Sequence, residues 1–115
     1  MSDPRASRPH SAGHAFPAGE DGLLPWSWAR ERLARVPTWW LATASPAGDP
    51  HAMPVWGAWV DDRGYVLGDA GTRWSRQLAA RPACVIHVQE GDDVVIVEGH
   101  ARAVGDPDPR LLTAI

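Results

Sequence analysis

Residues 38–60 read TWWLATASPAGDPHAMPVWGAWV and contain two apolar runs on either side of a turn sequence. The first run, Thr38 to Ser45, is rich in the aromatic and β-branched residues that favour strands. The second run, Pro50 to Val60, resumes the extended pattern. Because PAGD at 46–49 supplies turn residues between the runs, the stretch predicts a β-hairpin.

Three more strands are predicted after this hairpin. The tight-turn sequence DDRG at 61–64 precedes a third strand at 65–70. A fourth strand at 83–90 is joined to a fifth at 94–104 by GDD at 91–93. Short connections favour pairing between sequence neighbours, so we expect an antiparallel sheet that curls into a small barrel.

Two short helices are predicted beside the strands. The segment LLPWSWARERLARV at 23–36 has Ser27 as its predicted N-cap and is followed by Pro37, which ends it. The segment GTRWSRQLAARP at 71–82 begins with Thr72 as a cap and ends in a proline. The first helix is expected to have about two to three turns and the second roughly two.

The two ends differ in composition from the middle of the chain. Residues 1–22 are rich in Pro, Ser, Gly, Ala and His, with few branched apolar residues, which predicts a disordered tail. The remainder, 23–115, is expected to form one domain. Its last residues, 106–115, predict the opening turn of a further helix.

Charge and cysteine content argue against several classes of function. The formal charge is −3 and the basic residues, which are all arginine, lie among acidic ones, so we expect no nucleic-acid partner. Cys84 is the only cysteine, which excludes an intrachain disulfide. No segment has the length and hydrophobicity of a signal peptide or membrane span, and a cytoplasmic location without membrane contact is predicted.

The first candidate site surrounds Pro54 in the second strand. Proline has no N–H for a strand ladder, so this part of the strand is predicted to be an edge, a bulge or a place where a ligand lies alongside. Backbone groups of Met53, Val55 and Trp56 would then be free to bind a planar ligand. The alternative is an ordinary edge proline without a ligand.

The second candidate site is the start of the internal helix. First-turn N–H groups at Arg73 to Ser75 and the helix dipole favour an anion there. Arg73 and Arg76 are three residues apart, where like charges repel by roughly 0.2–0.5 kcal/mol, and a bound phosphate would reverse that repulsion. The alternative is a solvated helix face with two unrelated arginines.

Metal and nucleophilic chemistry are not favoured by the spacing of the remaining residues. Cys84 and His87 are three apart in a predicted strand, so their side chains are expected on opposite faces. No Walker-type loop or Gly-x-Ser-x-Gly motif is present. The seven tryptophans are interpreted mainly as core or interface residues, with an aromatic cofactor as the alternative partner.

The run at 38–60, together with GYVLGDAGTRWSRQLAARPACVIHV at 64–88 and DDVVIVEGHARAV at 92–104, resembles a known family. It is similar to the pyridoxamine 5'-phosphate oxidase-like split-barrel family, in particular its deazaflavin-dependent oxidoreductase branch. The resemblance implies a mainly β fold, an antiparallel Greek-key-like split β-barrel with flanking helices. It also implies a homodimer that binds FMN or the deazaflavin coenzyme F-420 in a groove between subunits.

The resemblance assigns residues to both parts of this cofactor. Met53, Pro54, Val55 and Trp56 match the segment that lines the flavin ring, and Thr72, Arg73 and Arg76 match the phosphate-binding segment. The family commonly has a lysine where this chain has Trp74, so an arginine would have to compensate. The family also continues for a further helix and strand, so the flavin-binding domain is expected to be short at its C-terminal end.

The predicted function is therefore an oxidoreductase that acts on an unidentified small molecule. One alternative is a non-catalytic binding or carrier module for a flavin, haem or other planar ligand. Another is a small barrel that binds single-stranded nucleic acid through exposed tryptophans, which the acidic balance of the chain disfavours.

Overall fold

The computed structural model describes residues 24–105, so the tail predicted at 1–22 and the helical turn predicted at 106–115 lie outside the described residues. The elements are α1 (Trp26–Arg35), β1 (Thr38–Ala44), β2 (Pro50–Val60), β3 (Arg63–Val66), α2 (Arg73–Ala80), β4 (Ala83–Glu90) and β5 (Asp93–His100). Neither described helix is long and apolar enough to cross a membrane.

The five strands form one antiparallel half-barrel in the order β3-β2-β1-β4-β5. The first three strands follow one another as hairpins, and β4 returns through α2 to pair with the free side of β1. This is the Greek-key arrangement. The predicted fold class, a mainly β antiparallel split barrel with flanking helices, is confirmed.

Both helices pack against one face of the sheet, which we call the inner face. The strands turn every second residue toward it, as the pleat requires. Trp39 is 0% exposed at its centre, and burying an indole of this size contributes about 4–6 kcal/mol of transfer free energy. The other buried members of this core are Leu33, Leu41, Val55, Trp74, Leu78, Val88 and Val95.

The helix boundaries confirm one predicted cap and correct the other. Thr72 caps α2 as predicted, with its side chain accepting a hydrogen bond from the Ser75 N–H. The cap of α1 is Pro25 and not Ser27, because Pro25 has the extended backbone of a cap and its carbonyl accepts from the Trp28 N–H at 3.0 Å. Ser27 therefore lies inside the first turn.

Two strands are displaced from their predicted limits. The third strand covers Arg63–Val66 in place of 65–70, because Gly68 packs against the Trp74 indole and the chain turns there toward α2. The fifth strand ends at His100 in place of 104, where its pairing with β4 ends at Ala83.

Asp62 joins α1 to the turn between β2 and β3. Its Oδ1 accepts from Trp26 Nε1 at 3.3 Å and from Trp59 Nε1 at 3.4 Å. Arg30 lies 3.5 Å from the same oxygen, and Asp62 has a positive φ of 57°. The two indole rings meet edge to face with their centroids 5.5 Å apart. One carboxylate thus organises an aromatic pair between two elements.

We expect Asp62→Ala to lower the free energy of unfolding by about 1–2 kcal/mol, because two indole N–H groups lose a charged acceptor and alanine disfavours a positive φ. Urea denaturation followed by circular dichroism measures the change. Asp62→Asn is the matched control: it keeps a side-chain oxygen and tolerates this backbone conformation, so most of the stability should remain. Equal stability of the alanine variant and the wild type would contradict the role of the carboxylate.

Candidate functional site

One side of β2 has no neighbouring strand over the first part of its length. β1 pairs with β2 from Pro50 to Trp56, whereas β3 pairs with it only from Gly57 to Val60. Within residues 24–105, the far side of β2 therefore has no partner strand over 50–56, and we call this the open side of β2. Pro54 lies on it, which agrees with the edge position expected from its missing N–H.

The backbone groups that face the open side are not all those predicted. The Gly57 N–H donates to the Pro37 carbonyl at 3.0 Å across the β1–β2 pair. Opposite residues in an antiparallel pair alternate between hydrogen-bonded and non-hydrogen-bonded, so Val55 and Met53 bond to β1. The prediction of free backbone groups at Met53 and Val55 is therefore wrong, and Ala52 takes their place.

The open side thus presents backbone groups from Ala52, Pro54 and Trp56. The Trp56 carbonyl accepts from the Leu67 N–H at 3.4 Å, just beyond the end of β3. Met53 and Val55 instead direct their side chains to the core, where Val55 is buried and Met53 packs at the margin. Trp56 is 67% exposed and lies on the opposite, outer face.

The start of α2 has unsatisfied hydrogen-bond donors. The Thr72 hydroxyl donates to the Asp69 carbonyl at 2.9 Å and accepts from the Ser75 N–H at 3.3 Å. The N–H groups of Arg73 and Trp74 have no partner among the described residues. The exposed guanidinium groups of Arg73 and Arg76 also lack a hydrogen-bond or carboxylate partner there, while Arg30, Arg32 and Arg35 are all ion-paired.

The loop at 67–72 connects the open side of β2 to this helix start. Leu67 is anchored to the Trp56 carbonyl. At the next residue, a Cβ on Gly68 would lie 2.2 Å from the Trp74 indole, so the first turn of α2 packs directly on the loop. The end of the open side of β2 and the start of α2 are therefore linked through this loop. Trp74 itself is buried and faces away from solvent, where the resembling family commonly has lysine.

A buried polar group on the inner face was missed by the sequence analysis. The Thr43 hydroxyl donates to Gln77 Oε1 at 2.5 Å, and both residues are buried. His51 lies opposite Thr43 in the β1–β2 register, and its Nε2 is buried without a hydrogen-bond partner in the described part of the chain. The sequence signal for this buried group was the position of Thr43 on the same strand face as Trp39 and Leu41, since every second residue of a strand faces the same side.

The structure places Cys84 and His87 on opposite faces, as predicted. Cys84 packs at the margin of the core, and burial raises the pKa of its thiol, which keeps it protonated. His87 stacks on Trp40 on the outer face, with ring centroids 6.4 Å apart. No group of three or more metal-ligating side chains occurs within residues 24–105.

The Greek-key half-barrel, with candidate binding segments along one side of β2 and at the start of α2, defines a split β-barrel protein. Residues 28–112 match the family described as Pyridoxamine 5'-phosphate oxidase. The chain therefore belongs to the pyridoxamine 5'-phosphate oxidase family. None of the curated proteins compared with the chain matches it.

Solved structures that are similar to the chain include the following two. An F420 reductase is 26% identical with a TM-score of 0.57, covering 64% of this chain and 61% of its own. The conserved hypothetical protein Rv2991 from Mycobacterium tuberculosis is 24% identical with a TM-score of 0.70, covering 80% of this chain and 61% of its own. The similarity to Rv2991 shows a shared fold and nothing more. The chain spans about three fifths of the length of both proteins.

Proposed function

We propose that the protein binds FMN or the deazaflavin coenzyme F-420 at the open side of β2 and the start of α2. It would act as a cytoplasmic oxidoreductase on a small molecule, with two copies forming the complete site. The observation that carries this proposal is a loop that links two features: the open side of β2, where the Ala52 backbone, the Pro54 carbonyl and the Trp56 N–H have no strand partner, and the start of α2, where Arg73 and Arg76 have no partner among the described residues. Membership of the family and likeness to an F420 reductase support it.

The residues present suit the two chemical parts of such a cofactor. Along the open side of β2, the N–H groups of Ala52 and Trp56 are donors and the carbonyls of Ala52 and Pro54 are acceptors, which suits the heteroatoms of a flat conjugated ring. The Trp56 indole would cover ring surface and exclude water. Thr72, Arg73 and Arg76 would hold the phosphate through guanidinium groups and first-turn N–H groups. When bound, the cofactor supplies the hydride chemistry.

Titration of the full-length protein with FMN and with F-420 tests this proposal. We expect saturable quenching of tryptophan fluorescence by at least one of them, because Trp56 borders the proposed ring site. Riboflavin, which has the same ring as FMN but no phosphate, is the matched ligand control. It should bind at least about 10-fold more weakly, since each charge-assisted hydrogen bond contributes about 1.5–3 kcal/mol. Absence of quenching by both cofactors would refute the proposal.

A non-catalytic carrier of a flavin, haem or other planar ligand is the second candidate function. The buried position of Trp74 favours it, because that side chain cannot supply the charge of the usual lysine. Single-turnover measurements distinguish the two. Reduced cofactor that stays reduced on the protein with a panel of conjugated acceptors would favour the carrier, whereas its reoxidation by one acceptor would favour the enzyme.

A further inference from the structure

A cleft opens in the sheet where β1 and β4 separate. The pairing between these two strands ends at Ala42 opposite Val85, although β1 continues to Ala44 and β4 begins at Ala83. The ends of both strands therefore lie beyond their common ladder. The space has a volume of about 580 Å³, which is within the range of pockets that bind small molecules. We call it the β1–β4 cleft, and it is lined by residues 42–44, 83–85 and 98–100.

The β1–β4 cleft lies on the outer face of the sheet. No residue of α1 or α2, the described helices that cover the inner face, lines it. Even Gln77, which bonds to the Thr43 side chain on the inner face, is absent from its lining. Strand residues alternate between faces, so each of the three lining stretches has two outer-face residues on either side of one inner-face residue. The backbone of the inner-face residues therefore forms the floor of the cleft.

Small side chains keep this floor accessible, and aromatic rings border it. The outer-face residues at the ends of β1 and β4 are alanines, at positions 42, 44 and 83. Trp40 and His87 precede and follow them by two residues on the same strands, so they share the outer face. Their rings are nearly parallel, with an angle of 8° between them. The cleft thus suits the apolar body of a small molecule.

Glu98 gives the β1–β4 cleft its charge. It is the only lining residue that has a carboxylate or a guanidinium group, and His100 is beside it on the same face of β5. The other carboxylates of the described strands, Glu90 and Asp93, are ion-paired with arginines of α1. Glu98 has no hydrogen-bond or ion-pair partner within residues 24–105. An unpaired carboxylate beside an apolar space favours a ligand of positive charge.

The sign of this charge distinguishes the β1–β4 cleft from the proposed cofactor site. Arg73 and Arg76 attract a phosphorylated ligand, whereas Glu98 repels one. Position distinguishes the two sites as well. Val85, on the central strand of the cleft, is separated by β1 from Ala52 on the open side of β2, a distance of about two strand spacings or 10 Å. The cleft is therefore a second site with a different ligand preference.

We propose that the β1–β4 cleft binds a small molecule that has an apolar body and one ammonium group. The apolar body would lie on the alanine floor, against the border formed by Trp40 and His87. The ammonium group would pair with the Glu98 carboxylate at the β5 side of the cleft. This inference goes beyond the proposed function and does not depend on the binding of FMN or F-420.

Titration of the full chain with phenethylamine, followed by its amide NMR spectrum, tests the proposal. We expect saturable shifts of the amide signals of residues 42–44, 83–85 and 98–100. Phenethyl alcohol has the same shape without the charge and is the matched ligand control. It should bind about 3- to 5-fold more weakly, since it cannot form an ion pair with Glu98. Hydrocinnamate, which has a carboxylate in place of the ammonium group, should bind more weakly than either.

Two variants of the β1–β4 cleft separate its charge from its shape. Glu98→Gln should bind phenethylamine and phenethyl alcohol equally, because the counter-ion is lost. Asp92→Asn is the matched control: this exposed carboxylate also has no partner among the described residues, but it lies in the β4–β5 turn outside the cleft. It should keep the wild-type preference. Ala83→Leu should weaken both ligands at least about 10-fold by filling the cleft, and thermal unfolding shows whether each variant is folded.

Several results would overturn the inference. These are the absence of saturable shifts in the β1–β4 cleft, equal affinity of the wild type for amine and alcohol, and a Glu98→Gln variant that keeps the preference for the amine. Saturating FMN or F-420 should change the phenethylamine affinity by less than about 2-fold. Displacement of the amine by either cofactor would show that the cleft belongs to the cofactor site. A protein that binds the amine there but neither cofactor would refute the proposed function and leave the inference established.

Discussion

Gly57→Ala is expected to lower the free energy of unfolding by about 3 kcal/mol or more, at the upper end of the range for overpacked cores. A Cβ at this position would lie 2.2 Å from Cδ2 and Cε3 of Trp39. The indole cannot move aside, because Trp39 is 0% exposed and its Nε1 donates to the Val36 carbonyl at 3.0 Å. Urea denaturation monitored by circular dichroism measures the loss.

Gly99→Ala is the matched control for this substitution. Gly99 is also a strand glycine, but nothing lies within 4 Å of a Cβ built there. Its stability should change by no more than about 0.5 kcal/mol. Adding Trp39→Phe to Gly57→Ala should restore part of the loss relative to the sum of the two single variants, because the smaller ring vacates the position of the new methyl group. A Gly57→Ala protein as stable as the control would show that the core adapts to the methyl group.

The double variant Arg73→Gln, Arg76→Gln is expected to weaken FMN or F-420 binding about 100-fold, and each single variant about 10-fold, because each removes a charge-assisted hydrogen bond to phosphate. Fluorescence titration measures the affinities. Riboflavin affinity should stay unchanged in the same variants, since that ligand has no phosphate. Loss of riboflavin and FMN binding to the same extent would place the arginines elsewhere than at the phosphate.

Stability gives an independent readout for these arginine variants. Glutamine is a good helix former, and removing the repulsion between Arg73 and Arg76 should stabilise α2 by roughly 0.2–0.5 kcal/mol. Affinity is thus expected to fall while stability rises slightly. Arg102→Gln is the matched control: this exposed arginine also has no partner among residues 24–105, and its loss changes the net charge equally. It should leave cofactor affinity unchanged.

The hairpin at 38–60 and helix α2 could be predicted closely because their limits depend on local chemistry. Turn residues separate β1 from β2, and Thr72 and a proline bound α2. Which face of each strand is buried was harder to predict from the sequence. Trp39 and Trp40 are adjacent and chemically identical, yet one is fully buried and the other is 46% exposed. Only the packing of α1 and α2 decides which of them faces the core.

The candidate site was predictable in its residue types but not in its backbone directions. The missing N–H of Pro54 indicated an unpaired strand side, and the structure has one. Which neighbours share that side depends on the alternation of hydrogen-bonded pairs with β1, which the sequence of β2 alone does not determine. In the structure this alternation directs the backbone groups of Met53 and Val55 to β1 and those of Ala52 to the open side of β2. The contact between Thr43 and Gln77 joins residues far apart in sequence, so the alternation of Trp39, Leu41 and Thr43 indicates the face of Thr43 but not its partner.

Pro54 also affects how the protein behaves when it is concentrated. An unpaired strand side normally presents a regular series of N–H and C=O groups, onto which strands of other molecules can add to start fibril growth. On β2 the central donor of that series is absent, and the pyrrolidine ring occupies its place. A ligand that needs only a few hydrogen bonds can still bind, whereas an incoming strand cannot continue its ladder past this residue. The same proline that keeps the strand accessible therefore protects the protein against aggregation.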